Sequence, residues 1–145
     1  MNYVGKWMFH SIGAVDDETC ERVWLDAEGY MKSPMPYVDE TDEEAVADEI
    51  KERKRTVGTF LEVCEDGKIY VLMPLPDGVS KEEAEKAVKA GVIKMRDGMM
   101  TDDPLSWEER DGELWVNMGR SNEFMQFSGD GDFLTMVTTR FERVQ

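Results

Sequence analysis

The stretch that decides how this chain reads is Gly5-Lys6-Trp7-Met8-Phe9, continued by His10-Ser11-Ile12-Gly13-Ala14-Val15. Aromatic and branched residues dominate it, so it predicts a strand over residues 4–15, with Gly13 offering a late bend or bulge. Alternation puts Trp7, Phe9 and Ser11 on one face and Lys6, Met8, His10 and Ile12 on the other. The far end of the chain carries a matching run: residues 133–143, from Phe133 to Arg143, read as one long strand.

Between these ends the signals are those of antiparallel hairpins. Residues 59–65 and 68–73 flank Asp66-Gly67, a pair suited to a tight turn, and Pro74 and Pro76 end the second run. Residues 92–95 and 99–101 flank Arg96-Asp97-Gly98, and residues 105–109 and 113–118 flank Asp111-Gly112. Residues 124–127 then lead through Gly129-Asp130-Gly131-Asp132 into the last run. Nearer the start, residues 22–25 and 30–32 flank Asp26-Ala27-Glu28-Gly29 and read as a short hairpin, with a helix over 17–27 as the competing reading. A sheet of roughly eight to ten strands usually closes or splits.

Two helices interrupt the meander. Thr41 and Glu44 form a capping box, Val46, Ile50 and Val57 share a stripe, and acidic residues at the start with Lys51, Arg53, Lys54 and Arg55 at the end complement the helix dipole. This predicts a helix over 42–55. Ser80 and Glu83 form a second box before a small apolar face of Ala84, Ala87 and Val88, and Gly91 follows, which predicts a helix over 81–90 that lies flat on a neighbour.

A length of 145 residues predicts one domain, 1–145. With 32 acidic against 17 basic residues, the formal charge of −15 repels phosphate backbones and anionic headgroups, so nucleic acid is not an expected partner. No apolar run reaches the roughly 20 residues that span a bilayer, and the expectation is a soluble, cytoplasmic, monomeric protein without membrane insertion. Cys20 and Cys64 are too few to staple a fold of this size and read as reduced thiols, with a single disulfide as the alternative for an exported protein.

The residues point to no reaction centre. His10 is the single histidine, without a Gly-x-Ser-x-Gly elbow, and the chain lacks paired zinc-ligand spacings and an EF-hand loop in register. No catalytic residue, metal or cofactor is therefore expected. Eleven methionines, many on predicted strands, suit either an adaptable cavity or an ordinary core.

Taken together, the Gly5-Lys6-Trp7 strand, the meander and a closing strand with arginines beside the C-terminus resemble the calycin superfamily, the lipocalins and fatty-acid-binding proteins. The middle stretch, Met73-Pro74-Leu75-Pro76-Asp77-Gly78-Val79-Ser80, a capped helix and Asp97-Gly98-Met99-Met100, looks most like bacterial lipocalin-like domains of unassigned function. The resemblance implies an antiparallel up-and-down β-barrel with two short helical insertions, whose first and last strands pair. It also implies that Trp7 closes one end against Arg140 or Arg143. Fatty-acid-binding proteins commonly carry Arg-x-Tyr on the last strand; here Glu142 stands two places after Arg140, so that carboxylate clamp is not carried over.

The resulting expectation is non-enzymatic binding of a small, largely apolar ligand inside the barrel, lined by Phe9, Tyr70, Trp115 and Phe127. Its rivals are a filled barrel that docks a protein through its acidic exterior, and an enzyme using interior carboxylates.

Overall fold

In the computed structural model, which describes residues 2–16, 18–119 and 123–144, the two ends of the chain do meet. The elements are β1 (Gly5–Val15), β2 (Arg22–Leu25), α1 (Ala27–Lys32), α2 (Glu43–Val57), β3 (Phe60–Val63), β4 (Lys68–Leu72) and α3 (Lys81–Lys89). They continue with β5 (Lys94–Arg96), β6 (Met99–Thr101), β7 (Leu105–Arg110), β8 (Glu113–Asn117), β9 (Phe124–Asp130), β10 (Phe133–Met136) and β11 (Thr139–Arg143). Strands β1, β3, β4, β7, β8, β9, β10 and β11 pair in that order and close through β11 against β1, an eight-stranded antiparallel up-and-down barrel.

β1 holds the closure because it serves three partners. Its residues 5–8 pair with β3, residues 12–15 pair with β2, and residues 7–12 pair with β11. The weakest seam lies between β4 and β7, where two residue pairs connect the strands. Beyond it the chain from Met73 to Asp102 is inserted, carrying α3 and the β5–β6 hairpin. Met73 and Met100 exchange backbone hydrogen bonds of 2.8 and 2.9 Å, and the Thr101 hydroxyl donates to the Val71 carbonyl, tying the insertion to the end of β4.

The barrel interior is a packed core. Tyr3, Trp7, Leu61, Val63, Ile69, Leu114, Val116, Phe127, Leu134 and Phe141 form one buried cluster, with Leu105, Trp107, Met125 and Met136 packed against it. Burying such side chains contributes about 1.5–3 kcal/mol each. Within α3, Ala84 is buried, as its small apolar face requires.

Four local expectations change. The second half of the expected 22–32 hairpin is helix α1, because the Asp26 carboxylate accepts from the Gly29 N–H and starts a helical turn where a hairpin turn was expected. α2 begins one residue later than expected and runs two further; its cap is Asp42, which accepts from Glu44 and Ala45, while Thr41 bonds Asp39. The single strand expected over 133–143 is two strands, joined by a turn at Val137-Thr138 in which Val137 has φ 53°. Finally, β1 carries a bulge: Phe9 pairs with Phe141, but Ser11 pairs with Arg140, leaving His10 as the extra residue. Ser11 is thereby transferred to the face of Arg140, away from that of Trp7 and Phe9.

Candidate functional site

The residues that opened the sequence reading meet the last strand in the buried core. Trp7 is fully buried and its indole N–H donates to the Tyr3 carbonyl at 3.0 Å. Arg143, the cross-strand partner of Trp7, places its guanidinium carbon 4.2 Å from the indole centroid and donates to the Val4 carbonyl at 3.1 Å and to the Asn2 carbonyl. Gly5 has φ 138°, and a Cβ there would stand 3.2 Å from the Arg143 guanidinium, so the glycine serves both the backbone angle and the close approach. Tyr3 belongs to the same buried cluster and donates its hydroxyl to the Gly112 carbonyl. Burial, reinforced by Glu113 and Glu109, raises the Tyr3 pKa above the ordinary tyrosine value.

Arg140 does not share this task. It stacks on Trp24 of β2 at 3.9 Å and lies 5.7 Å from the Phe133 ring.

The four residues expected to line a ligand cavity divide between the two faces. Phe9 and Phe127 point inward and are buried. Trp115 alternates with the buried Leu114 and Val116 and so stands outside, under the Arg110 guanidinium. Tyr70 pairs across β3 with Glu62, and Arg96 lies 4.0 Å above its ring while pairing with Glu62, which pins the β5–β6 hairpin to the barrel's outer wall. Their rings brace the exterior through arginine stacking.

A concavity of small-molecule size lies elsewhere. A cavity of about 440 Å³ opens between the last turns of α2 and the segment 74–77, walled by Gly58, Pro74, Leu75, Pro76 and Met100, with Lys54 and Arg55 at the rim. Close packing of Pro74 on Gly58 shapes it: a Cβ at Gly58 would fall 2.7 Å from the Pro74 ring. Four of the lining charges pair with one another, Lys54 with Asp77 at 2.8 Å and Arg55 with Glu52, Lys51 also lines the cavity, and the Lys54 hydrogen bond holds the Asp77 carboxyl below the usual carboxylate range. A second, smaller cavity of about 210 Å³ shares Met100 and is walled by Met73, Val92 and Ile93.

Groups with potential chemistry are dispersed. His10 bonds the Ser11 hydroxyl at 2.9 Å and sits edge-on to Phe133. Both cysteines are free thiols, and burial, with Glu62 adding to it, raises the pKa of Cys64 despite the Arg96 guanidinium 3.8 Å away. Among the described residues no cluster of three histidine, cysteine or carboxylate groups could hold a metal, and no helix is long and apolar enough to cross a membrane.

Sequence reasoning missed Arg53. With Lys51, Lys54 and Arg55 it reads as a dipole complement, yet Arg53 is buried and donates to the carbonyls of Tyr30, Ser33 and Pro34 and to Glu49, fastening α1 to α2. Its place near the stripe of Ile50 and Val57 was the available signal.

Comparison with protein-family models, curated proteins and solved structures finds no match for this chain.

Proposed function

We propose that this chain is a calycin-like, non-enzymatic binder of a small, largely apolar ligand, and that the ligand occupies the cavity beside α2. What supports this reading is the cavity itself. Its volume falls within the roughly 300–1,000 Å³ of small-molecule pockets, and its walls are proline, leucine, methionine and the aliphatic stems of Lys54 and Arg55. The barrel interior, by contrast, is occupied by the chain's own side chains. Binding fits better than catalysis because both carboxylates lining the cavity, Glu52 and Asp77, are committed to ion pairs with Arg55 and Lys54.

The test is titration with a fluorescent apolar probe, followed by displacement with a panel of lipids. Leu75→Trp and Met100→Trp, which fill the cavity, should each abolish probe binding while leaving the fold's circular dichroism intact. Probe binding that survives both substitutions would sink the reading.

The second reading, a filled barrel that docks another protein, is favoured by the packed interior. Absence of probe or ligand binding in the unaltered protein would move the balance to it.

A further inference from the structure

The bulge at His10 gathers a second feature on the outer face of the barrel. Residues paired across strands share a face, so Ser11 with Arg140, and Gly13 with Trp24, and Val15 with Arg22, all stand on one side of β1. Gly13 leaves that surface bare. A Cβ there would lie 3.7 Å from both the Arg22 Cδ and the Trp24 ring, so the two side chains converge over the glycine. Arg140 then covers Trp24 at 3.9 Å, with Phe133 beyond it at 5.7 Å and His10 edge-on to Phe133.

In a chain with 32 acidic residues, neither Arg22 nor Arg140 has an ion-pair partner or a side-chain hydrogen bond among the described residues. Arg110, stacked in a similar way on Trp115 and Phe124, is paired with Glu108. The paired positions of β1 and β2 on this face carry no carboxylate. Glu142 and Asp130 share the face of Phe133 through their cross-strand pairing, but neither lies within ion-pair distance of Arg140. Among the described residues no side-chain polar atom is both buried and unpartnered, so the Arg140 donors, which have no partner there, are reached by solvent. Stacking holds the guanidinium plane while leaving its N–H edges free, the condition for bidentate recognition of an oxyanion.

We propose that Arg140 and Arg22, set around Trp24 over Gly13, form an anion-binding site for a compact dianion. Two guanidinium groups match two negative charges, while the buried Ser11 hydroxyl, bonded to the His10 ring at 2.9 Å, lies beneath them. A phosphate monoester and a small dicarboxylate share this chemistry. The site is separate from the cavity beside α2 and does not depend on it.

The experiment is an NMR titration of the full chain with inorganic phosphate in one arm and succinate in the other, at constant ionic strength set by chloride. The Trp24 indole N–H is the reporter. A saturable shift with phosphate or with succinate is expected, and whichever arm saturates names the source. Arg140→Gln should weaken binding roughly tenfold or more, as loss of a charge-assisted bidentate contact does. The exposed Arg22→Gln should weaken it by a smaller factor, and serves as the decisive variant if Arg140→Gln fails to fold. Arg110→Gln should leave it unchanged. No saturable shift in either arm, or equal affinity after Arg22→Gln and Arg140→Gln, would overturn the proposal.

Discussion

Replacing Trp7 with alanine tests the barrel closure most directly. The indole is fully buried within the main core cluster, so roughly 200 Å² of aromatic surface returns to water or faces a void. At about 25 cal/mol per Å² that is an upper figure near 5 kcal/mol, and buried tryptophan truncations in general cost about 3–5 kcal/mol. Part of the loss belongs to the Arg143 stack, which a double-mutant cycle isolates. Arg143→Ala alone also removes the bonds to Val4 and Asn2, but these cancel in the cycle, leaving a coupling of about 0.5–2 kcal/mol. The same cycle with Arg140→Ala should show a coupling below about 0.5 kcal/mol, because Arg140 packs on Trp24. Urea unfolding followed by far-ultraviolet circular dichroism is the assay, since removing one of four tryptophans confounds fluorescence. A Trp7→Ala cost under about 1 kcal/mol, or a larger coupling to Arg140 than to Arg143, would refute the closure described here.

Arg53→Ala should cost about 2–3 kcal/mol in the same assay, because it strips donors from three backbone carbonyls at the α1–α2 junction; a value near zero would mean water replaces them freely. The Tyr37 hydroxyl and Arg53 hold the Glu49 carboxyl below its ordinary value of 4.5. A depressed folded pKa gives stability that is present above 4.5 and fades as pH falls through the folded value, so Glu49→Gln should flatten the acid limb of a stability-against-pH curve below 4.5. Val137→Gly should stabilise the protein by roughly 1 kcal/mol, since Val137 is exposed and its branched side chain is held at φ 53°. A destabilised variant would show that the valine makes contacts worth more than the strain. Gly58→Ala should weaken apolar-probe binding and cost about 1–3 kcal/mol by displacing Pro74, read from probe titration and unfolding together.

Much of the barrel was legible because its hairpins use turn chemistry that leaves a trace. Asp66-Gly67, Asp97-Gly98 and Asp111-Gly112 each mark a real strand connection, and Gly67, Gly98 and Gly112 all adopt positive φ. Where the chain departs from that chemistry, reading by residue type failed. Val137-Thr138 looks like strand interior, so the β10–β11 turn was invisible, and only the pairing of the flanking strands supports the strained valine. Asp26 could begin a turn or cap a helix, and the choice was made by tertiary packing, in which Arg53 reaches the carbonyls at the end of α1. The ligand-lining residues were legible only as to alternation. Tyr70 and Trp115 fell on the outer face because strand parity cannot say which face is the inner one until a register is known.

The choice between the two arginines shows how little was missing. Arg140 and Arg143 stand three apart on one strand, so they must face opposite sides of it. Phe141 shares the parity of Arg143, and Phe141 is an apolar side chain that belongs inside with Trp7 and Phe9. That parity alone assigns Arg143 to Trp7 and sends Arg140 outward. What parity could not supply is the bulge at His10, which changes the face of every β1 residue after it and brings Ser11 and Gly13 beneath Arg140 and Trp24. The same irregularity thus lets one strand serve two ends: its first half buries a tryptophan under one arginine, and its second half exposes a platform for another.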